Sequence, residues 1–154
     1  MEGITTRHID SFDPGLIRDL CRLEIENLGE EASLNQWMIP VLIRYGLVII
    51  AEKLPEGKIA GICQVIRSYG EEASAFIHSF YIRPHLRGKK IGRTLLSAVL
   101  DKVGSDGFKR IQLTVDAENK PAVSLYRSAG FRKTSVLKDE YGEGVHRDLY
   151  ALEL

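Results

Sequence analysis

The sequence predicts a single α/β domain spanning residues 1–154, with a mixed, mostly antiparallel central sheet of about seven strands flanked by about four helices. Three observations point there. The chain has 154 residues, about one domain's worth, and a chain this long buries enough surface for one good core. Its composition, 44% hydrophobic and 27% charged, is that of an ordinary globular protein. Its apolar pattern switches between β-branched runs and helical spacing in the order β-α-α-β-β-β-α-β-α-β-β, with no internal repeat or linker.

Ile4 to Ile9 is short and β-like. Asp13 then reads as a helix N-cap, with Pro14 at the first helical position. Leu16, Leu20 and Leu23 recur at helical spacing, and Leu28-Gly29 ends that helix. Ser33-Leu34-Asn35-Gln36 has the form of a capping box before a second helix, which Pro40 is expected to end or kink. Leu47 to Ala51 and Ile59 to Arg67 read as strands joined by a turn over residues 54–58, and Ala73 to Ile82 as a longer strand. Three strands with short turns predict an antiparallel meander. Ile91, Leu95, Leu96, Val99 and Val103 then follow helical spacing, with Gly104 as the expected stop. Arg110 to Val115 alternates like a strand. Ala122, Leu125, Tyr126 and Ala129 define a further helix with Asn119 as N-cap and Gly130 as C′ residue. Phe131 to Leu137 and Val145 to Leu154 close the chain around a polar loop at 138–144.

Several function classes find no support. Lys plus Arg and Asp plus Glu are both 21, so the net charge is zero; a dedicated nucleic-acid binder usually has a basic excess. Cys21 and Cys63 have no nearby Cys or His at ligand spacing, so no disulfide framework or metal site is expected. Two free thiols suit a reducing compartment. No apolar run reaches the ~18–20 residues of a membrane span. Met1-Glu2-Gly3-Ile4 does not open a signal peptide. The expectation is a cytoplasmic protein with no membrane or nucleic-acid partner.

The most informative segment joins a strand to a helix. From Arg83 to Arg93 there are five formal positive charges and no acid. Helix N-termini already carry unpaired N–H groups and roughly half a positive charge, so acids are the usual choice there. Five cations read as a phosphate site, with Gly88 and Gly92 letting the backbone approach an anion. The alternative is a solvated basic turn. GxxxxGK[ST] and GxGxxG are both absent, so nucleotide-triphosphate and dinucleotide sites have no support.

Arg87-Gly88-Lys89-Lys90-Ile91-Gly92 resembles motif A of the GNAT superfamily of acyl-CoA-dependent N-acyltransferases, Gln/Arg-x-x-Gly-x-Gly/Ala. It departs at Lys90, which stands at the pattern's first glycine. Ordinary helical or turn angles are therefore expected of Lys90, with its N–H toward the phosphate. Residues 119–131 match the family's second signature, Asn-x-x-Ala-x-x-Leu-Tyr-x-x-x-Gly-Phe, and the element order agrees along almost the whole chain.

The resemblance implies an N-acetyltransferase that passes an acetyl group from acetyl-CoA, its cosubstrate, directly to a primary amine, without a metal. The amine would belong to a protein N-terminus, a lysine or a small molecule. It implies that backbone groups of Phe80, Tyr81 and Ile82 hold the pantetheine arm by strand-like hydrogen bonds. It places the pyrophosphate on Arg87, Gly88, Lys89, Lys90, Ile91, Gly92 and Arg93, and Asn119 against the arm. Tyr126 matches the family's usual general acid, which protonates the leaving thiolate; a second reading of Tyr126 is a core aromatic at helical spacing. Many members of the family dimerise, and nothing in the chain specifies an oligomer.

The general base is less well marked. Some relatives place a glutamate five residues before the motif asparagine, where this chain has Thr114. The candidate is His78, which shares a strand face with Phe80 and Ile82. An unperturbed imidazole titrates near pH 6.5 and can accept an amine proton directly or through water. The resemblance puts the acceptor between residues 28–45 and the loop 138–144, whose Glu30, Glu31, Asp139, Glu140 and Glu143 attract a cation. The rival readings are a non-catalytic acyl-CoA sensor and a nucleic-acid-binding domain using the basic turn. Cys21 and Cys63 lie far from both motifs in sequence, against a covalent route.

Overall fold

A computed structural model describes residues 3–154. The elements are β1 (Gly3–Ile9), α1 (Pro14–Ala32), α2 (Ile39–Tyr45), β2 (Leu47–Leu54), β3 (Lys58–Arg67), β4 (Ser74–Ile82), a 3₁₀ turn (Pro84–Leu86), α3 (Ile91–Ser105), β5 (Arg110–Val115), α4 (Lys120–Ser128), β6 (Arg132–Leu137) and β7 (Arg147–Glu153). The described strands form one seven-stranded sheet in the order β1-β2-β3-β4-β5-β7-β6. Neighbours β1–β2, β2–β3, β5–β7 and β6–β7 run antiparallel, and β4–β5 parallel. The expected order and the mixed, mostly antiparallel sheet are both present.

Residues 3–66 and 78–99 form one compact unit, and residues 67–77 and 100–154 a second. In the first unit, Asp13 caps α1 by accepting the Leu16 N–H at 2.8 Å, a bond that typically stabilises by about 1 kcal/mol. Ile17, Leu20 and Leu23 of α1 pack with Ile39, Leu42 and Ile43 of α2 and with Val48, Ile50 and Ile62 of the sheet. Gly29 takes a left-handed φ of 76°, which breaks α1 one turn before its end. The Ser33 hydroxyl donates back to the Gly29 carbonyl, so Ser33 closes α1 and does not open α2. The expected capping box does not form. Asn35 instead organises the connector: its side-chain oxygen accepts the Trp37 N–H, and its carbonyl accepts those of Met38 and Ile39. Pro40 lies in the first turn of α2, not at its end. A proline costs nothing there, because that N–H has no helical partner.

In the second unit, Ile111, Leu113 and Val115 are the buried alternation of β5. Asn119 caps α4, its Oδ1 accepting the Ala122 N–H at 3.4 Å. At the other end Gly130 has φ 100°, its N–H bonds the Arg127 carbonyl, and Phe131 N–H bonds that of Tyr126. This is the paired pattern of a Schellman stop. Helix α3 buries the expected Ile91, Leu95, Leu96, Val99 and Val103. It runs through Gly104, and the reversal falls on Gly107, at φ 90°, while Phe108 N–H bonds back to the Val103 carbonyl.

Gly61 in β3 sits against the end of β4. A Cβ there would lie 2.8 Å from the Tyr81 carbonyl oxygen and collide with the Ile82 side chain. Gly61→Ala is expected to destabilise the protein by about 1–3 kcal/mol, the usual cost of overpacking, read as a lower urea midpoint at unchanged slope. An unaltered midpoint contradicts the close approach.

Candidate active site

The strand-to-helix turn lies in the first unit. Arg83 N–H bonds the Ala60 carbonyl at 2.9 Å, so the chain leaves β4 anchored to β3. The 3₁₀ turn follows, and then two left-handed residues, Gly88 at φ 75° and Lys90 at φ 64°. Lys90 thus does not take the ordinary angles expected of it. It adopts the conformation that a glycine would hold without strain, at about 1–2 kcal/mol for a side-chain-bearing residue. Its carbonyl accepts the Thr94 N–H at 3.1 Å. The N–H groups of Ile91, Gly92 and Arg93 precede that bond and lie among the amides a helix cannot satisfy internally.

The five cations divide by partner. Arg83 reaches Glu26 at 3.5 Å, and Arg87 Nε donates to the Ile82 carbonyl at 3.0 Å. Lys89, Lys90 and Arg93 are exposed and have no ion pair or side-chain hydrogen bond among the described residues. No acid stands in the first turn of α3. Three uncommitted cations and three helix-opening amides make a site suited to a multiply charged anion.

Along β4, Phe80 is half-buried, Tyr81 and Ile82 are buried, and His78 is exposed. The parallel ladder of β4 with β5 runs only from Ser74↔Arg110 to Ile77↔Leu113. Tyr81 carries a feature missed in the sequence. Its hydroxyl donates at 3.2 Å to Glu24 Oε1, which also accepts Gln64 Nε2 at 2.8 Å, while Oε2 accepts the Leu34 N–H at 3.2 Å. Glu24 is fully buried. All three contacts donate to it, so the ionised carboxylate is the form they satisfy. Burial, followed by the Glu24 charge, pushes the Tyr81 hydroxyl far above its ordinary pKa. The signal was a glutamate in the apolar stripe of α1, seven residues after Ile17 and four after Leu20.

The second unit holds Asn119 and Tyr126. Asn119 is the N-cap of α4, and Tyr126 on that helix is buried, its ring edge-on to Phe131 with centroids 5.8 Å apart. Thr114 and Tyr141 share a hydroxyl–hydroxyl hydrogen bond of 3.1 Å, which ties the 138–144 loop to β5. Asp139 N–H donates to His146 Nδ1, and Asp139 Oδ1 accepts the Gly144 N–H. Of the three loop acids expected to attract an acceptor, Asp139 also organises the loop itself, and Asp139, Glu140 and Glu143 are all exposed.

Both thiols are poor nucleophiles. Burial pushes the Cys63 pKa far up, and burial followed by the Glu24 charge raises that of Cys21. Among the described residues no group of three or more His, Cys, Asp or Glu could hold a metal ion, and no helix is long and apolar enough to cross a membrane.

The chain belongs to the acetyltransferase (GNAT) family, whose model matches residues 17–131. It is 31% identical over 84 residues to an uncharacterized N-acetyltransferase of Methanocaldococcus jannaschii, an overlap covering 54% of this chain and 37% of the relative. It is 29% identical over 100 residues to a mycothiol acetyltransferase of Clavibacter michiganensis, covering 65% and 30%. The chain thus spans well under half the length of those two relatives. A ribosomal-protein alanine N-acetyltransferase of Escherichia coli has the same fold, with a TM-score of 0.77 at 18% identity over 99% of this chain and 94% of that one.

Two outcomes test these local readings. Lys90→Gly releases left-handed strain but loosens the unfolded chain, for a net gain of up to about 1 kcal/mol; a lower urea midpoint contradicts the strain. Iodoacetamide at neutral pH is expected to label Cys63 only after unfolding. Rapid labelling of the folded protein contradicts its burial.

Proposed function

We propose that this chain is an acetyl-CoA-dependent N-acetyltransferase acting by direct transfer to a primary amine in a ternary complex. The observation that carries the reading is the α3 opening. It offers Lys89, Lys90, Arg93 and the amides of Ile91–Arg93 to an anion, at the family's own motif and within the residues that match the family. Coenzyme A brings about three to four negative charges near neutral pH, which offsets the repulsion built into that turn.

In this reading Phe80, Tyr81 and Ile82 give backbone hydrogen bonds to the pantetheine arm, and the Glu24–Tyr81 bond steadies the end of that strand. The amine lone pair attacks the thioester carbon. A carbon–nitrogen bond forms, and the carbon–sulfur bond breaks. The Tyr126 hydroxyl delivers a proton to the departing sulfur, and His78, itself or through water, takes one from the amine. Asn119 keeps the start of α4 in place and donates to the arm. Neither thiol enters, because both stay protonated at neutral pH. The absence of any disulfide between Cys21 and Cys63 suits a cytoplasmic setting.

A sensor that binds acyl-CoA without turnover is the second reading. It is favoured by Thr114 standing where some relatives carry a base, its hydroxyl already engaged by Tyr141. Thiol release from acetyl-CoA with a panel of amines separates the two. Turnover is expected, with Tyr126→Phe lowering kcat by about 10²–10⁴ and His78→Ala removing the acid limb of the kcat/KM profile. Unchanged turnover in Tyr126→Phe overturns the acid. An unaltered profile in His78→Ala overturns the base. CoA binding without acetylation of any amine overturns the enzyme in favour of the sensor.

A further inference from the structure

A cavity of about 380 Å³ opens in the second unit at the end of β5 and the start of β7. Its size is within the range of small-molecule sites. Asp116, Ala117 and the segment Gly144–Asp148 line it. Its charges are of both signs and sit on different segments. Asp116 Oδ2 and Arg147 Nη1 are 3.9 Å apart, too far for a good charge-assisted hydrogen bond. Each has capacity left. Asp116 Oδ1 accepts the Glu118 N–H at 3.0 Å, which leaves Oδ2. Arg147 spends one N–H on the His146 carbonyl at 2.8 Å, out of five.

The rest of the lining is fixed in advance. The Arg147 guanidinium lies over the Tyr141 ring at 5.4 Å, and Tyr141 is tied to Thr114 on β5. His146 Nδ1 accepts the Asp139 N–H at 3.0 Å. In the neutral ring that bond places the hydrogen on Nε2 and makes it a donor. Asp148 is taken by Lys133 at 3.0 Å. What the cavity offers a ligand is therefore a guanidinium with an imidazole donor on one segment and a carboxylate on the other.

We propose that this cavity recognises the acceptor, and that the acceptor is a small zwitterion: a free amino acid whose carboxylate meets Arg147 and His146 and whose ammonium meets Asp116. The cavity follows from the geometry alone; its role as acceptor site rests on the acetyltransferase reading. A simple amine would bring its cation to Arg147, and a simple acid its anion to Asp116. Only a molecule with both charges escapes a repulsive contact, which is selection by exclusion as well as by attraction. Acetylation turns the ammonium into a neutral amide, so the product loses its bond to Asp116 and leaves more readily than the substrate.

The test follows backbone amide shifts of the labelled full chain, residues 144–148 above all, during titration with four probes. These are L-alanine, β-alanine, L-alaninamide (cation only) and N-acetyl-L-alanine (anion only). One of the two amino acids is expected to saturate at a concentration at least about tenfold below either single-charge probe, the effect of one lost charged contact. Arg147→Gln is expected to abolish the advantage over alaninamide, and Asp116→Asn the advantage over N-acetylalanine. Asp116→Asn keeps the Oδ1 acceptor, and an unchanged melting temperature certifies either fold. Absent shifts, equal affinities for all four probes, or a preference surviving Arg147→Gln overturn the proposal. Acetylation assays keep the two readings apart. Turnover of monoamines without a carboxylate preference sinks the zwitterion and spares the enzyme. Zwitterion binding without any acetyl transfer does the reverse.

Discussion

Peptide N–H groups at the start of a helix point outward with no acceptor in their own chain, and at α3 they are surrounded by cations where acids usually stand. The backbone is bent for this arrangement, with Gly88 and Lys90 both left-handed. A stability-driven sequence would put a glycine at Lys90 and carboxylates in the first turn of α3. This chain retains both strain and repulsion, and the proposed polyanionic cosubstrate would relieve the second. The strand leading into the turn is held on two sides, by the tight seat at Gly61 and by the Tyr81–Glu24 bond. The position of the turn therefore depends on the packing of the first unit's core.

Glu24 is the costliest member of that core. A buried carboxylate without a cation persists only if hydrogen bonds replace its hydration, and three donors do so from β3, β4 and the α1–α2 connector. One side chain thus couples the connector at Leu34 to the strand that ends at the basic turn. Breaks in the helix at Gly29 and a restart organised by Asn35 make the Leu34 amide available to it. The local irregularities of this region serve one polar contact.

Much of this was legible in the sequence where a local rule decides. Asp13-Pro14, Asn119 and Gly130 perform the capping roles their chemistry dictates, because each acts within four residues of itself. Apolar spacing identified the buried face of α3 and the alternation of β5 for the same reason. Elsewhere two local rules competed. Pro40 both ends helices and begins them, and only the connector geometry set by Asn35 selects the second. Gly104 signals a stop, yet the reversal needs a left-handed residue where the following strand leaves, and that is Gly107. Lys90 is the instructive case. A non-glycine residue predicts ordinary angles, but the turn dictates the dihedral and the side chain bears the strain. Glu24 was marked only by its place in the apolar stripe of α1; its partners Gln64 and Tyr81, like the Asp116–Arg147 pair, lie far apart in sequence and meet only in the fold.

The central claim is that the opening of α3 binds the diphosphate of an acyl carrier. Calorimetric titration of coenzyme A against pantetheine, which lacks the phosphates, tests it most directly. The account predicts that coenzyme A binds at least about a hundredfold more tightly, the worth of one or two charge-assisted bonds, and that the advantage shrinks as salt rises. Equal affinity for the two, or a preference indifferent to salt and to replacement of Lys89 and Arg93 by alanine, would contradict it.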